Sequence, residues 1–357
     1  MGFGIAGRIS ARLRLNRLWG PDVDAAASAL RKDVRRLVQR IDQLEELLRA
    51  TEDHLQAARD LAQQADRASA QVRLVSVLNS RQQREIDRLP ALLDADRINA
   101  HVRRAVAAAP LLTDPYEHIV VEHVLPEAVY DLLIHAIPPA EFFNDRDPIK
   151  QNLRFPMEFG PTLSATAWEF MDKAIAGLAI RSAVLEKFHE PLQRHFASLF
   201  GPASAERANA LPQSASGGRL MLRRPGYHLG PHRDPKHSML TCLLYLAREG
   251  DSDTYGTQIF RVFDDDEAGY KQTYYPEEEG RTCELVKVVP FKPNTMLVFL
   301  NSRGAHGATI PPDAPADLER YSYQFYVSPD RDALAALIKS LPAAHRAMWK
   351  SKAKVTA

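Results

Sequence analysis

Apolar side chains recur with a four-three spacing along the N-terminal part of the chain. Residues 22–89 contain neither glycine nor proline, and the apolar positions of this segment include Leu30, Val34, Leu37, Ile41, Leu44, Leu48 and Leu55. On an α-helix this spacing gives one narrow stripe, which is the pattern of a coiled-coil seam. We therefore predict a long coiled-coil helix over residues 22–89. Two interpretations of the seam stay open: it joins the chain to another copy or to a partner helix, or it folds back onto the rest of its own chain.

Short segments flank this predicted helix. Residues 1–21 form a basic amphipathic tail, in which Arg8, Arg12, Arg14 and Arg17 alternate with apolar side chains. Such a tail either contacts an anionic membrane surface through residues 1–20 or stays in solution as a charged end. Residues 90–112 predict a helical linker, and residues 331–357 a C-terminal helical tail.

The pattern becomes that of an α+β domain over residues 113–330. A β-branched run at 118–121 predicts a strand, and Pro126 begins a helix through Ile137. Further helices are predicted over 165–175 and 184–199. Beyond Gly217 short strands are predicted at residues 219–223, 240–246, 257–262, 284–289, 296–300 and 321–327. Short strands separated by Gly, Pro and Asn predict an antiparallel sandwich or barrel.

Composition excludes several classes of protein. The chain has 46 Lys and Arg against 45 Asp and Glu, so its formal charge of +1 argues against a nucleic-acid binder that relies on bulk charge. Two cysteines, Cys242 and Cys283, are too few for a disulfide framework. No apolar stretch reaches the roughly 18 residues of a spanning helix. We expect a cytoplasmic protein, with peripheral membrane contact through the basic tail left open.

The strand region contains a candidate metal site. In His232-Arg233-Asp234 the first and third side chains project from the same face of an extended segment, so both can reach one ion. His306 follows a predicted strand and the turn at residues 301–304. Two histidines and one carboxylate on one face of an octahedron hold Fe(II) and leave three positions open. The His-Glu-x-x-His spacing of many catalytic zinc sites is absent from the chain.

A candidate anion-binding residue follows the third ligand. Arg320 opens an aromatic-rich, mostly buried strand, where an unpaired charge is costly and needs a partner. A dicarboxylate would provide that partner, because the planar guanidinium can bind a carboxylate at two points. Ser322 lies on the same face of the strand and adds a hydroxyl donor.

Several segments together resemble one family. Residues 113–330 are similar to the Fe(II)/2-oxoglutarate-dependent dioxygenase superfamily, nearest to bacterial proteins with a prolyl-4-hydroxylase-like oxygenase domain. The order of His232, Asp234, His306 and Arg320 fits that family. The matching segments are residues 115–121, 125–127, 219–234, 243–246, 256–260 and 293–299. Two departures are Thr257, where many members have the second glycine of a Gly-Gly pair, and an acidic insertion at residues 264–282.

The resemblance implies a fold, an activity and cofactors. It implies a double-stranded β-helix (jelly roll) with flanking helices, iron bound by the three ligands, and 2-oxoglutarate chelating that iron while Arg320 pairs with the far carboxylate. The implied reaction consumes O2, with ascorbate as an additional reductant, and hydroxylates a C–H bond. Hydroxylation is favoured over halogenation because halogenating members have a small residue in place of Asp234. Tyr227 and Tyr245 either line the cosubstrate pocket or are packed aromatics.

The substrate and two alternative functions stay open. Relatives act on peptidyl residues, small metabolites, and lipid or sugar moieties. Arg154 and Arg219 are candidates for binding an anionic substrate, and His228 and His237 flank the ligand pair. One alternative is a non-catalytic coiled-coil interaction protein that retains a jelly-roll domain. The other is a cupin-type dioxygenase that uses no keto acid.

Overall fold

The structure is a computed structural model of the chain, and it describes residues 21–143, 147–157, 159–265 and 273–349. The chain divides into two compact units between Gln71 and Val72. The predicted membrane contact concerns residues 1–20, which lie outside the described residues. Within the described ranges no helix combines the length and the apolar character that crossing a membrane requires.

A single helix occupies most of the predicted coiled-coil segment. Helix α1 (Pro21–Arg81) runs for 61 residues and confirms the predicted helix as far as Arg81. Gln82 leaves the helical conformation with φ −97° and ψ 12°, and α2 (Gln83–Leu92) follows. The apolar stripe of α1 is exposed, with 58% exposure at Leu37 and 53% at Ile41. A coiled-coil pairing of that stripe therefore stays a prediction.

The remaining described helices belong to the second compact unit. They are α3 (Ala95–Ala108), α4 (Glu127–His135), α5 (Thr162–Phe170), α6 (Arg181–Lys187), α7 (His189–Phe200), α8 (Pro202–Asn209), α9 (Arg331–Ser340) and α10 (Ala343–Ala347). Between α5 and α6 the chain continues as a π-helix, Met171–Ile180. The described part of the predicted linker consists mainly of α3, whose first turn is capped by the Asp94 side chain.

Two antiparallel sheets form the β part of the fold. The strands are β1 (His118–Val121), β2 (Lys150–Arg154), β3 (Gln213–Arg223), β4 (His228–His232), β5 (Leu240–Tyr245), β6 (Thr257–Val262), β7 (Cys283–Val289), β8 (Thr295–Leu300), β9 (Ala305–Thr309) and β10 (Arg320–Pro329). One sheet has the order β1-β8-β5-β10-β3-β2, and the other has β4-β9-β6-β7. All pairings within both sheets are antiparallel, which confirms the predicted sheet type.

Alternate residues of the central strands belong to two different hydrophobic clusters. In β5, Cys242 and Leu244 join a large cluster formed with the helices. The intervening Leu243 and Tyr245 join a second cluster that includes Ile259 of the smaller sheet. The six-stranded sheet is therefore apolar on both faces, with helices against one face and the four-stranded sheet against the other. The polar residues that interrupt the second face are those of the candidate site.

Candidate metal centre

The three predicted ligands converge at the pairing of β4 with β9. His232 lies opposite His306 in the strand register, and the centroids of the two imidazole rings are 4.1 Å apart. Nε2 of His306 is 3.7 Å from Oδ2 of Asp234, which is the second residue after the end of β4. One ligand atom from each of the three buried residues lies within 4.8 Å of the others. Among the described residues this is the only such cluster of three or more His, Cys, Asp or Glu side chains.

Both imidazoles are in the form that binds a metal. Nδ1 of His232 is 3.0 Å from the carbonyl oxygen of Gly230, which can only accept, so Nδ1 carries the proton and Nε2 has a free lone pair. Burial lowers the pKa of His232 and holds the pKa of His306 well below its ordinary value, to which the neighbouring His232 also contributes. Both rings are therefore neutral at neutral pH, as metal ligation requires.

A network of buried hydrogen bonds orients the carboxylate of Asp234. The Thr241 hydroxyl donates to Oδ2 at 2.7 Å, and the Tyr326 hydroxyl donates to Oδ1 at 3.3 Å. The Asn301 amide donates in turn to the Thr241 hydroxyl at 2.7 Å and to the Ser238 carbonyl. Because partners of this kind fix the direction of a ligand's lone pairs, they tune its affinity for a metal.

A buried ion pair joins the two ligand-bearing segments. Nη2 of Arg233, the residue between the first two ligands, donates to both carboxylate oxygens of Asp265 at 2.6 and 2.5 Å. The same carboxylate accepts a hydrogen bond from the backbone of Gly304, two residues before His306. Gly304 has φ +65°, and a Cβ there would lie 2.2 Å from the Tyr116 ring. Asp265, at the start of the acidic insertion, therefore fixes the distance between the segment that contains His232 and Asp234 and the segment that leads to His306.

Arg320 lies in the same cavity as the three predicted ligands, and no described carboxylate forms an ion pair with it. The cavity has a volume of about 340 Å³, and its lining includes His232, Asp234, His306 and Arg320. Arg320 is 6% exposed, and its Nε has no hydrogen-bond partner. Within the described ranges its guanidinium makes no ion pair, and it lies over the rings of Phe291 and Tyr245, at 4.9 and 5.7 Å from the centroids. Burial lowers the pKa of this guanidinium, as expected for a cation held away from water.

The other predicted cosubstrate residues have different positions. Ser322 and Tyr227 line the cavity. Tyr245 is fully buried beneath Arg320, and its hydroxyl donates to Thr257 at 2.8 Å. Thr257, at the position where the resemblance would have a glycine, itself lines the cavity. Tyr245 therefore contacts Arg320 and Thr257 from outside the described cavity lining.

Sequence reasoning did not identify several residues of the site. Gln324 and Tyr326 follow Arg320 and Ser322 at every second position of β10, so period-two alternation could have identified both. Lys150 also lines the cavity, from an unpredicted strand. Thr241 and Asn301 carry no local signal, because only the tertiary fold brings them to Asp234. His228 is exposed and is hydrogen-bonded to Thr309 at 3.1 Å.

The donor set fits Fe(II). Two neutral imidazoles and one carboxylate, each buried and within reach of a single ion, are the ligands of a facial triad with open positions. Because Nδ1 of His232 carries the proton, Nε2 is the nitrogen that can bind a metal. The cavity leaves room beside the ligands for further groups.

Comparisons with known proteins give weak likenesses. No protein-family model matches the chain, and no curated protein matches it. Solved structures similar to it include a prolyl-4-hydroxylase from Pseudomonas putida, with 18% identity and a TM-score of 0.35 over 65% of this chain and 100% of the other. The α-ketoglutarate-dependent epimerase SnoN of nogalamycin biosynthesis has 14% identity and a TM-score of 0.36, over 75% and 96%. HygX from Streptomyces hygroscopicus, solved with nickel and 2-oxoglutarate, has 12% identity and a TM-score of 0.35, over 60% and 83%.

Proposed function

We propose that the protein is an Fe(II)- and 2-oxoglutarate-dependent dioxygenase that hydroxylates a C–H bond. The observation that carries this proposal is the buried Arg320 guanidinium, which shares one cavity with His232, Asp234 and His306 and has no carboxylate partner among the described residues. A buried cation without a counter-ion is costly. A bound dianion would remove that cost, and a metal centre with open positions would bind its other end.

The side chains around Arg320 suit 2-oxoglutarate. The guanidinium can bind a terminal carboxylate at two points, and the buried Ser322 hydroxyl lies on the same strand face as a further donor. The rings of Tyr245 and Phe291 pack against the guanidinium and limit its movement. Arg320 would thus fix the far end of the cosubstrate, and its keto-acid end would reach the metal.

The three ligands would hold the iron, and their hydrogen bonds would keep them in place. When bound, Fe(II) with 2-oxoglutarate and O2 supplies oxidative decarboxylation of the keto acid coupled to oxidation of a C–H bond. Asp234 retains a carboxylate, held by Thr241 and Tyr326, so this ligand position is unavailable to a halide. We therefore propose hydroxylation, with a substrate that is a peptidyl residue, a small metabolite, or a lipid or sugar moiety.

We also propose that the two antiparallel sheets form a double-stranded β-helix. The order β4-β9-β6-β7 opposite the longer sheet is compatible with that fold. In it the ligand strands β4 and β9 would form one wall of the cavity, and β10 with Arg320 would form the opposite wall.

Succinate release in the absence of substrate tests the function. The full chain with Fe(II), O2 and 2-oxoglutarate should slowly convert the keto acid to succinate. His232→Ala should abolish this release, because the metal loses a ligand, whereas His228→Ala on the same strand should retain it as the matched control. Arg320→Gln should require about tenfold to a hundredfold more 2-oxoglutarate for the same rate, because a charge-assisted pair is lost.

Two other results would favour the alternative functions. A metal-loaded protein that releases no succinate would favour the non-catalytic interaction protein. Oxygen consumption that does not depend on 2-oxoglutarate and is unchanged in Arg320→Gln would favour a cupin-type dioxygenase.

A further inference from the structure

Basic side chains occupy one face of the three strands β2, β3 and β10. Lys150, Arg223 and Arg320 are aligned across the strands in one row. Arg154, Arg219 and Gln324 form a second, parallel row four residues along each strand. Since side chains separated by an even number of residues share a face, five cations lie on the sheet face that borders the cavity.

Within the described residues, none of these five cations forms an ion pair. Arg223 donates to the carbonyls of Gln151 and Leu222 and to the Asn152 amide oxygen, all neutral acceptors. Arg219 donates to the Gln324 side chain and, at 3.4 Å, to the Tyr326 hydroxyl. Lys150 and Arg154, like Arg320, have no ion pair within the described ranges.

The neighbouring arginine provides a contrast. Arg224 lies on the opposite face of the sheet and forms an ion pair with Glu319 at 2.7 Å. A carboxylate is therefore available to the arginine that directly follows β3, on the side of the sheet away from the cavity. The uncompensated charge belongs to the face that borders the candidate site.

The charge exceeds what iron and 2-oxoglutarate would require. The described lining of the cavity carries four cations, Lys150, Arg219, Arg223 and Arg320, and one carboxylate, Asp234. If the proposed function holds, the two charges of Fe(II) and the two of 2-oxoglutarate cancel each other, so three positive charges remain. Arg320 would pair with the cosubstrate, and the donors of Arg223 are occupied by neutral acceptors.

We propose that Arg219 and Lys150 bind an anionic group, a carboxylate or a phosphate, of the substrate. This inference rests on the proposed function and assigns the substrate class of the same site. The Tyr326 hydroxyl connects Arg219 to the proposed metal ligands. It lies 3.4 Å from Nη2 of Arg219 and 3.3 Å from Oδ1 of Asp234. The oxidised C–H bond is therefore only a few bonds from the anionic group.

Paramagnetic relaxation tests this site without knowledge of the substrate. The full chain is loaded with Mn(II) and saturating 2-oxoglutarate, and inorganic phosphate and acetate serve as probes whose ³¹P and ¹³C relaxation is measured. Both relax faster if they bind near the metal. Arg219→Gln and Lys150→Gln should each weaken the more tightly bound probe about tenfold or more, because each removes a positive charge and its hydrogen bonds. The matched control, Arg346→Gln on the exposed face of α10, should leave relaxation unchanged.

Separate outcomes bear on the two proposals. Faster relaxation of phosphate alone or of acetate alone identifies the anion as a phosphate or a carboxylate. If 2-oxoglutarate binds but neither probe relaxes faster, or if the enhancement persists in both variants, the anionic-substrate inference is wrong and the proposed function stands. If 2-oxoglutarate itself does not bind the metal-loaded wild type, the proposed function is wrong.

A second, independent observation concerns the exposed stripe of α1. With Val34 at position a of the heptad, the a positions include Ile41 and Leu48, and the d positions include Leu37 and Leu44. Two of the a positions, Val34 and Ile41, are β-branched, and this combination with Leu at d favours parallel pairs of helices. In a parallel, in-register pair Arg40 at position g faces Glu45 at position e of the other chain, which places opposite charges together.

We propose that this stripe binds a second copy of the chain as a parallel coiled coil. The apolar side chains are exposed along the helix, with 63% exposure at Leu44. An exposed apolar stripe of this length is typical of a binding surface. The self-complementary pair of Arg40 and Glu45 favours an identical partner over an unrelated helix.

Sedimentation of the full chain tests the pairing. The wild type should have twice the monomer mass, and the double variant Leu37→Asp/Ile41→Asp should have the monomer mass. The control Gln39→Asp/Gln43→Asp, outside the seam, should remain dimeric. Leu30→Cys should form an interchain disulfide on oxidation, because equivalent d positions meet only in a parallel pair. A monomeric wild type, or a dimer unaffected by the seam variant, would overturn the inference.

Discussion

At the scale of single residues, Asp234 owes its direction to a threonine outside the described cavity lining. The Thr241 hydroxyl donates to Oδ2 of Asp234 and accepts from the Asn301 amide. Because Oδ2 is the oxygen that lies closest to His306, losing this bond would let the carboxylate rotate away from the other ligands.

Thr241→Val should weaken metal binding while the protein stays folded. The substitution preserves shape and removes one hydroxyl, and the loss of such a partner typically costs about ten- to a hundredfold in affinity. Titration with Mn(II) measures it. Thr295→Val removes another buried hydroxyl, bonded to the Pro293 carbonyl, and should leave metal affinity unchanged. Equal affinities in wild type and Thr241→Val would show that Asp234 needs no such support.

A second residue, His118, makes folding stability depend on pH. It is buried in β1, its Nε2 has no hydrogen-bond partner among the described residues, and burial lowers its pKa from the ordinary value of 6.5. Below that value the unfolded chain takes up a proton that the folded chain does not. Stability is therefore present above about pH 6.5 and is lost as the pH falls.

The unfolding free energy of the metal-free protein should accordingly decrease from pH 7 to pH 5. His232 and His306, whose pKa values are also lowered, contribute in the same direction. His118→Phe should give a shallower decrease, because one buried neutral imidazole is removed. Urea unfolding at both pH values measures this, and equal slopes in the two proteins would contradict the assignment.

At the scale of elements, the close approach of the Gly256 and Val289 backbones determines where β6 begins. A Cβ at Gly256 would lie 1.6 Å from the carbonyl oxygen of Val289 in β7, so only glycine allows the two backbones to meet. Thr257, the next residue, pairs with Val289 and directs its hydroxyl towards Tyr245. Gly256 is thus the residue at which the packing requires a glycine.

Gly256→Ala should separate β6 from β7 and lower the unfolding free energy by about 1–3 kcal/mol. Gly230→Ala is the matched control, because a Cβ there meets its nearest atom at 3.7 Å. Thermal unfolding of both variants measures the difference. A Gly256→Ala protein as stable as the control would show that the strands adjust without cost.

Strands were predicted correctly where burial gives the sequence a regular apolar pattern, and they were missed where the sequence has no such pattern. Residues 118–121 and 257–262 have the predicted bounds, because their apolar side chains mark the strands. β2 is an edge strand of mostly polar residues bordering the cavity, and β9 contains small residues around His306, so neither has an apolar alternation. The predicted break after residue 175 is wrong, since buried Ile180 and its neighbours continue the helix as a π-helix.

At the scale of the whole molecule, the sequence was sufficient to predict that His232, Asp234 and His306 converge, but not which residues surround them. His232 and Asp234 are two residues apart, and His306 follows a strand and a turn, so their convergence could be predicted from spacing and fold class. The clamp of Arg233 on Asp265 and the basic rows of β2, β3 and β10 depend on strand order, which no local pattern encodes.

The most direct test of the central claim is anaerobic calorimetry of 2-oxoglutarate binding to the full chain loaded with Fe(II). We expect saturable binding that disappears in His306→Ala and weakens about tenfold to a hundredfold in Arg320→Gln. His228→Ala should bind as the wild type does. Binding that is equally strong without metal, or that is unaffected by the loss of the Arg320 charge, would contradict the assignment of this cavity to iron and 2-oxoglutarate.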